Sequence, residues 1–346
     1  MKKLRVGIIG AGSIAQYAHI PNYQKIEGVE VTALCDSNGE TLKSAAEKFG
    51  VKKTHTDYKK MLATEKLDAV SVCTPNAHHA APTIAALQAG AHVLVEKPIA
   101  MNAGEGRRMV MAARKAKRLL MVAFNQRWRA DVQYLKRSVE AGALGDIYYA
   151  EAVYMRRSGI PGWGVFVDKA MSGGGPLIDV GVHMLDLALY LMGHPKPTAA
   201  FGSSYTAFGK RSDAFAGMGR WDAEKFSVED FGVGLVRFDN GATLLLKASW
   251  AANIGEDQHH VMLMGTEAGL NTSPARIFRH EQGSLVDVAP TRLPNVDTYS
   301  EEIVQFVKAI RERAPSPVPG EHGLMATAIL DAIYESAAVG TEVAVK

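Results

Sequence analysis

Short apolar runs separated by segments of helical spacing fill the first third of the chain. Leu4–Ile9, Val29–Cys35, residues 67–73, His92–Val95 and residues 119–124 are rich in Val, Ile, Leu and Ala, as strands buried on both faces are. Between them, residues 41–49, Ala80–Gln88 and residues 104–116 carry helical patterns. Strands alternating with helices predict a doubly wound parallel sheet, complete near Phe124. The pattern then changes. Residues 131–141 read as helix, 147–156 as strand, 158–176 as a Gly/Pro-rich loop and 180–192 as a strongly apolar helix. Residues 198–275 read mostly as alternating strands with turns, Phe238-Asp239-Asn240-Gly241 being a hairpin signal. Helical segments 299–313 and 321–338 follow, separated by Pro315, Pro317 and Pro319. A chain of 346 residues suits two domains. The expectation is an α/β domain over residues 1–124 and an α+β domain on a largely antiparallel sheet over 125–346.

The turn after the first strand narrows the first domain's role. Gly10-Ala11-Gly12-Ser13-Ile14-Ala15 is followed by a helix-like segment, a second apolar run and Asp36. That order and span is what a dinucleotide-binding βαβ unit requires. Gly10 permits the tight turn, Gly12 lets a pyrophosphate approach the backbone, and Ala15 stands at the third small position, where helix packs on sheet. A gly-rich turn also occurs in unrelated α/β proteins, but the flanking strands and the acid select the nucleotide reading. Asp36 can bond both hydroxyls of an adenosine ribose, and Ser37 and Asn38 bring no arginine for a 2′-phosphate, so NAD is expected over NADP. Gly10, Gly12, Ser13, Ile14, Asp36 and Ser37 are the expected cofactor contacts here. At later strand ends, Thr74, Pro75, Asn76, His79, Glu96 and Lys97 are expected to join them, with at least one of His78 and His79 only at the surface.

Bulk properties exclude several classes. Lys+Arg 39 against Asp+Glu 36 gives a net charge of +3, too balanced for a nucleic-acid partner. Cys35 and Cys73 suggest no disulfide framework. Lys2-Lys3 before an apolar run hints at a signal peptide, but the run breaks at Gly10. No apolar stretch reads as long enough to span a bilayer, so no membrane partner and a cytoplasmic location are expected. His78-His79 and His259-His260 lack accompanying ligands, and the latter pair would face opposite sides of a strand. A metal-free reaction is expected.

Two constellations can carry chemistry. Val93-Leu94-Val95-Glu96-Lys97-Pro98 sets a lysine at the carboxyl end of a parallel strand, where open α/β sheets bind ligands. A surface lysine paired with Glu96 fits the same spacing. Further on, Gly173-Gly174-Gly175 leads into a helix on which Asp179 and His183 lie four apart, with Asp186 three beyond. A histidine one turn from a carboxylate suits a base, and the glycines would let the backbone approach a ligand. An N-capping aspartate and a core histidine would look alike.

Taken together, the Gly10–Ala15 turn, Cys73-Thr74-Pro75-Asn76, Glu96-Lys97-Pro98 and Asp179-x-x-x-His183 resemble the glucose–fructose oxidoreductase/inositol dehydrogenase family, Gfo/Idh/MocA, in order and spacing along essentially the whole chain. The resemblance implies a Rossmann domain, then a domain with a large open sheet through which oligomers, dimers or tetramers, form. It also implies that Lys97, Asp179 and His183 are the catalytic set. Residues 156–166, 173–186, Trp221-Asp222 and residues 227–230 are similar to the glucoside 3-dehydrogenase subgroup, which gives 3-keto sugars. Trp163 can stack on a sugar, and Arg156 and Arg157 can donate to hydroxyls or a phosphate, although both also suit a solvent-facing loop. Asn125 and Arg127 are further expected substrate contacts, Arg127 being equally suited to joining the domains. The reading is NAD-dependent oxidation of a secondary hydroxyl of a sugar or glycoside at C3. Its rivals are inositol oxidation, a redox-neutral NAD-dependent glycosidase, and a sugar or NAD sensor without catalysis.

Overall fold

The structure, a computed structural model, describes residues 3–346 and divides into two compact units. In the first, strands β1 (Leu4–Ile9), β2 (Val29–Cys35), β3 (Lys53–His55), β4 (Ala69–Val72), β5 (His92–Val95) and β6 (Leu120–Val122) form a parallel sheet in the order β3-β2-β1-β4-β5-β6. The connecting helices are α1 (Ile20–Lys25, entered through a π turn at Ala15–His19), α2 (Gly39–Phe49), α3 (Tyr58–Thr64), α4 (Ala80–Gln88) and α5 (Ala103–Ala116). Val6, Ile8, Val70, Val72, Val93 and Leu94 are fully buried, as strands covered on both faces must be. Local chemistry sets the helix ends: the Asn38 side chain accepts from the Glu40 and Thr41 N–H groups, and Gly50 closes α2 in the left-handed conformation. Because strand order reverses between β1 and β4, the crevice at their carboxyl ends is this sheet's ligand position.

The second unit contains α6 (Ala130–Glu140), β7 (Ile147–Met155), α7 (Lys169–Ser172) and α8 (Val182–Met192), the last preceded by a π turn at Leu177–Gly181. Strands β8 (Pro197–Tyr205), β9 (Phe231–Phe238), β10 (Thr243–Ser249), β11 (Gln258–Gly265), β12 (Ala268–Thr272), β13 (Ala275–Glu281) and β14 (Ser284–Val288) complete most of its sheet. Helix α9 (Thr298–Glu312) then returns to the first unit. The division falls again inside α10 (Gly320–Val339), and β15 (Val343–Ala344) closes the second sheet. Its order is β14-β13-β12-β11-β7-β10-β9-β8-β15, antiparallel except where β7 and β10 run parallel. Along β9 burial alternates residue by residue, so one face is covered and the other keeps Leu235 open, opposite Phe201 of β8.

The α/β plus α+β architecture is the one expected, but several boundaries differ. Residues 297–324 belong to the first unit, because α9 packs on α1 and Pro319 bridges to Met121 of β6. Residues 206–230 form no long strand. They make a turn-rich loop whose root is held by Asp230, which accepts from the Ala207, Phe208 and Gly209 N–H groups. Lys169–Met192 is apolar enough to cross a bilayer by length and hydropathy alone, but 78% of its apolar 18-residue window is buried inside the protein, as in the core helix of a folded domain.

Candidate active site

Gly10 has φ +90°, and a side chain there would strike the Cys73 carbonyl at 2.6 Å, so the turn out of β1 admits only glycine. Nothing lies within 4 Å of where a Cβ on Gly12 would stand, which leaves bare backbone for a pyrophosphate. Ser13 is exposed and Ile14 half-buried beside it. Asp36 ties this turn down: Oδ2 accepts from the Ala11 N–H at 2.7 Å and Oδ1 from the Asn38 N–H at 2.8 Å. A carboxylate offers about four lone-pair directions, so acceptor capacity remains for ribose hydroxyls. Ser37 is exposed and no arginine flanks it. The donor set fits NAD: an open glycine backbone at a helix opening for the pyrophosphate, and an acid at the neighbouring strand end for the ribose.

At the ends of β4 and β5 the structure separates surface from support. Pro75 and His78 are exposed, Thr74 and Asn76 half-buried, and Thr74 Oγ1 donates to the His78 carbonyl at 2.9 Å. His79, expected at the cofactor, is instead fully buried. Its Nδ1 lies 2.7 Å from the Pro98 carbonyl and its Nε2 2.8 Å from the Thr74 carbonyl, so it clamps two loops together. Burial pushes its pKa down. Glu96, also expected at the cofactor, turns inward as well: Oε1 meets His19 Nε2 at 2.9 Å and Oε2 accepts from the Lys97 N–H at 3.2 Å. His19 Nδ1 continues to Ser71 Oγ at 3.1 Å, and Ser71 to the Tyr23 hydroxyl at 2.9 Å. Burial alone would raise the Glu96 carboxyl, but the His19 bond and the nearby His19 and Lys97 charges hold it below its ordinary value. Lys97 alone keeps partial exposure between Val93 and Ala100. The sequence reading missed His19, whose partners lie 52 and 77 residues away.

In the second unit, Asp179 and His183 are the only residues from Gly174 through Leu189 that are not buried. The π turn widens the helix between them, yet both stay on its open side. The Trp250 ring, itself fully buried, donates its Nε1–H to Asp179 Oδ2 at 3.0 Å. Asp186 points elsewhere, accepting a bidentate pair of bonds from Arg127 at 2.8 and 2.6 Å. Arg127 is therefore a buried core residue, stacked 4.8 Å over Tyr190, and not a surface sugar contact. Asn125, in the first unit, is buried and donates to Thr298 Oγ1 at 3.2 Å.

The remaining expected substrate residues diverge. Arg156 donates to the Gly159 carbonyl at 3.1 Å and lies over Tyr154. Arg157 donates to the Gly255 carbonyl at 3.2 Å and lines a cavity of about 830 Å3 with Phe208, Arg211, Asp213, Trp221 and Asp257. Trp163 is 54% exposed and meets Phe166 edge-on, outside that lining. Among the described residues, no group of three or more His, Cys, Asp or Glu converges as a metal site.

A parallel sheet with this strand order, a glycine turn open to a pyrophosphate and an acid at the next strand end define a dinucleotide-binding domain. The model of the oxidoreductase family with an NAD-binding Rossmann fold matches residues 4–124, and that of the GFO/IDH/MocA C-terminal domain matches residues 132–271. The chain belongs to the Gfo/Idh/MocA family and is an NAD-binding oxidoreductase. It is similar to a D-glucoside 3-dehydrogenase of Escherichia coli (strain K12), at 37% identity across 98% of this chain and 97% of the relative. A myo-inositol 2-dehydrogenase of Thermotoga maritima is 28% identical over 93% of each chain. Among solved structures, a levoglucosan dehydrogenase in complex with NADH and levoglucosan superposes with a TM-score of 0.85 at 25% identity, covering 99% of this chain and 100% of that one.

Proposed function

We propose that the protein is an NAD-dependent sugar dehydrogenase that oxidises a secondary hydroxyl of a sugar or glycoside, at C3 of a glucoside, to the ketone. The observation that carries the substrate is the end-to-end likeness, at 37% identity, to a D-glucoside 3-dehydrogenase. The cavity beside Arg157 has none of Lys97, Asp179 and His183 in its lining, so the substrate is argued from the likeness alone.

In this reading His183, half-open on α8, takes the hydroxyl proton as general base, and Asp179 orients it. Lys97 bonds the same oxygen and stabilises the negative charge that develops on it. When bound, NAD+ supplies the hydride acceptor for the hydrogen leaving the carbinol carbon. The protein's share is orientation and proton handling. Gly10, Gly12, Ser13, Ile14 and Asp36 hold the cofactor, and Thr74, Pro75 and Asn76 line its nicotinamide end. We infer a homo-oligomer formed through the open face of the nine-stranded sheet, supported by Phe201, Tyr205, Leu235 and Phe278, which remain 37–53% exposed.

The test is NADH formation by the purified protein on methyl glucosides, disaccharides, free hexoses, hexose phosphates and inositols. Fastest turnover on glucosides, with a 3-keto product, is the expected result; preference for inositol would move the pocket assignment. His183→Ala should retain NAD and lose about 10²–10⁴-fold in turnover. Aglycone release from a chromogenic glycoside without net NADH would replace the dehydrogenase by a transient-redox glycosidase.

A further inference from the structure

The space beside the glycines that precede the π turn is filled by the protein's own atoms, a side chain at Gly174 and main chain at Gly175. A Cβ on Gly174 would lie 2.2 Å from the Tyr334 hydroxyl oxygen, and one on Gly175 2.0 Å from the Glu229 carbonyl oxygen. Sequence reasoning assigned this gap to a ligand; Tyr334 and Glu229 occupy it. Glu229, 7% exposed, aims its carboxylate at the opening of the helix that carries Asp179 and His183. Oε2 accepts from the Gly175 N–H at 2.9 Å, and Oε1 accepts from the Leu177 N–H at 3.2 Å and the Tyr334 hydroxyl at 2.7 Å. Pro176, between those two donors, has no N–H. The helix has no side-chain cap from its own N-cap residue, so the N–H groups on either side of Pro176 are met by a carboxylate from a distant segment. The helix dipole favours a negative charge there.

We propose that Glu229, held by Tyr334, is a positioning residue for the reaction: it fixes the opening turn of the helix and through it the placement of Asp179 and His183. Asp179 is two residues beyond the Leu177 N–H that Glu229 accepts, inside the π turn, where a loosened first bond would let the wide turn relax toward ordinary helix and rotate the side chain. The same segment braces Asp179 from a second side. The main-chain carbonyl of Asp230 accepts from the Trp250 N–H at 3.0 Å, and the Trp250 ring donates to Asp179. Residues 229–230 thus set both the backbone and the hydrogen-bond partner of Asp179. This inference rests on the assignment of Asp179 and His183 to the chemistry.

The experiment compares Glu229→Gln, Tyr334→Phe, the double variant and His183→Ala, assayed on methyl glucoside with hydrogen or deuterium at C3. Glu229→Gln preserves shape but turns one acceptor oxygen into an NH2 donor among donors, while Tyr334→Phe removes one donor and keeps the ring, so at least the milder variant is expected to fold. Displacement of a reacting group by a fraction of an ångström should lower kcat about 10–100-fold. KM and NAD affinity should stay within about threefold, since binding contacts are untouched. The deuterium isotope effect on kcat should rise as the chemical step becomes limiting. The double variant should be little worse than Glu229→Gln, because both act through one contact. Folded variants whose kcat stays within about twofold of the parent, beside an inactive His183→Ala, would overturn the proposal alone. A parallel loss of NAD affinity would overturn it too, because a displaced turn in the second unit leaves the cofactor contacts intact. Normal turnover by His183→Ala would overturn the reading beneath it.

Discussion

Asp36 serves the protein with both carboxylate oxygens and, in the proposed reading, the cofactor as well. Its two bonds to the Ala11 and Asn38 N–H groups fix the glycine turn against the end of β2, and the proposal gives its remaining acceptor capacity to the ribose. Asp36→Ala should therefore weaken NAD binding by about tenfold, the scale of one charge-assisted hydrogen bond. It should weaken NADP binding less, because the carboxylate repels a 2′-phosphate. Titration of both cofactors checks this, and an unchanged NAD/NADP ratio would remove the ribose role. The turn geometry at Gly10 and Gly12 and the place of Asp36 at the end of β2 were legible in the sequence, because neighbours within one βαβ unit set them. Glu96, His79 and Arg127 were misread for the opposite reason. What each side chain meets is decided by residues far along the chain: His19 for Glu96, Pro98 for His79 and Asp186 for Arg127. Residues 227–230 stood out only by likeness to a subgroup, and nothing local linked Glu229 to Tyr334, since 105 residues separate them.

At the scale of elements, the buried pair between Arg127 and Asp186 anchors α8 from the segment just before α6. Burial raises the Asp186 carboxyl even against the Arg127 charge, so desolvation is substantial and the bidentate geometry offsets only part of it. Asp186→Ala removes the bidentate carboxylate from a buried guanidinium and should cost up to about 3–5 kcal/mol in denaturant unfolding of the second unit. Replacing both partners together, with Arg127→Met and Asp186→Leu, should restore most of that loss. NAD affinity should not change in either variant. A single variant within about 1 kcal/mol of the parent would show that the pair adds little. Strong periodicity made α8 and the buried strands readable. It also explains what was missed: β3 and β14 present mostly exposed side chains, and α3 buries only Met61, so none carries a clear apolar stripe.

For the molecule as a whole, acid should act on both units in the same pH window. His92 in the first unit is pushed down to about 4, by burial and then by the Arg118 charge, and its Nδ1 accepts the Leu119 N–H at 3.0 Å. His259 in the second unit is likewise pushed down to about 4, by burial and by the Arg129 charge, with its ring set edge-on against Tyr154. An unfolded histidine takes its proton near pH 6.5, so between there and about 4 the unfolded chain binds protons that the folded one refuses. Stability is then complete above about pH 6.5 and declines as pH falls toward 4. Glu96, held below its ordinary value, acts later: its contribution is present above its unfolded pKa, near 4.3, and disappears below that. The melting temperature should accordingly be flat above neutrality, fall through the histidine window and drop more steeply once Glu96 protonates. His92→Asn keeps a short acceptor near the Leu119 N–H without a titrating ring, and His259→Gln removes the second proton site. Calorimetry from pH 7.5 to pH 4.5 should show a shallower decline for the double variant, in proportion to the protons no longer taken up by its unfolded chain. A double variant whose melting profile runs parallel to the parent's would place the acid sensitivity elsewhere in the molecule.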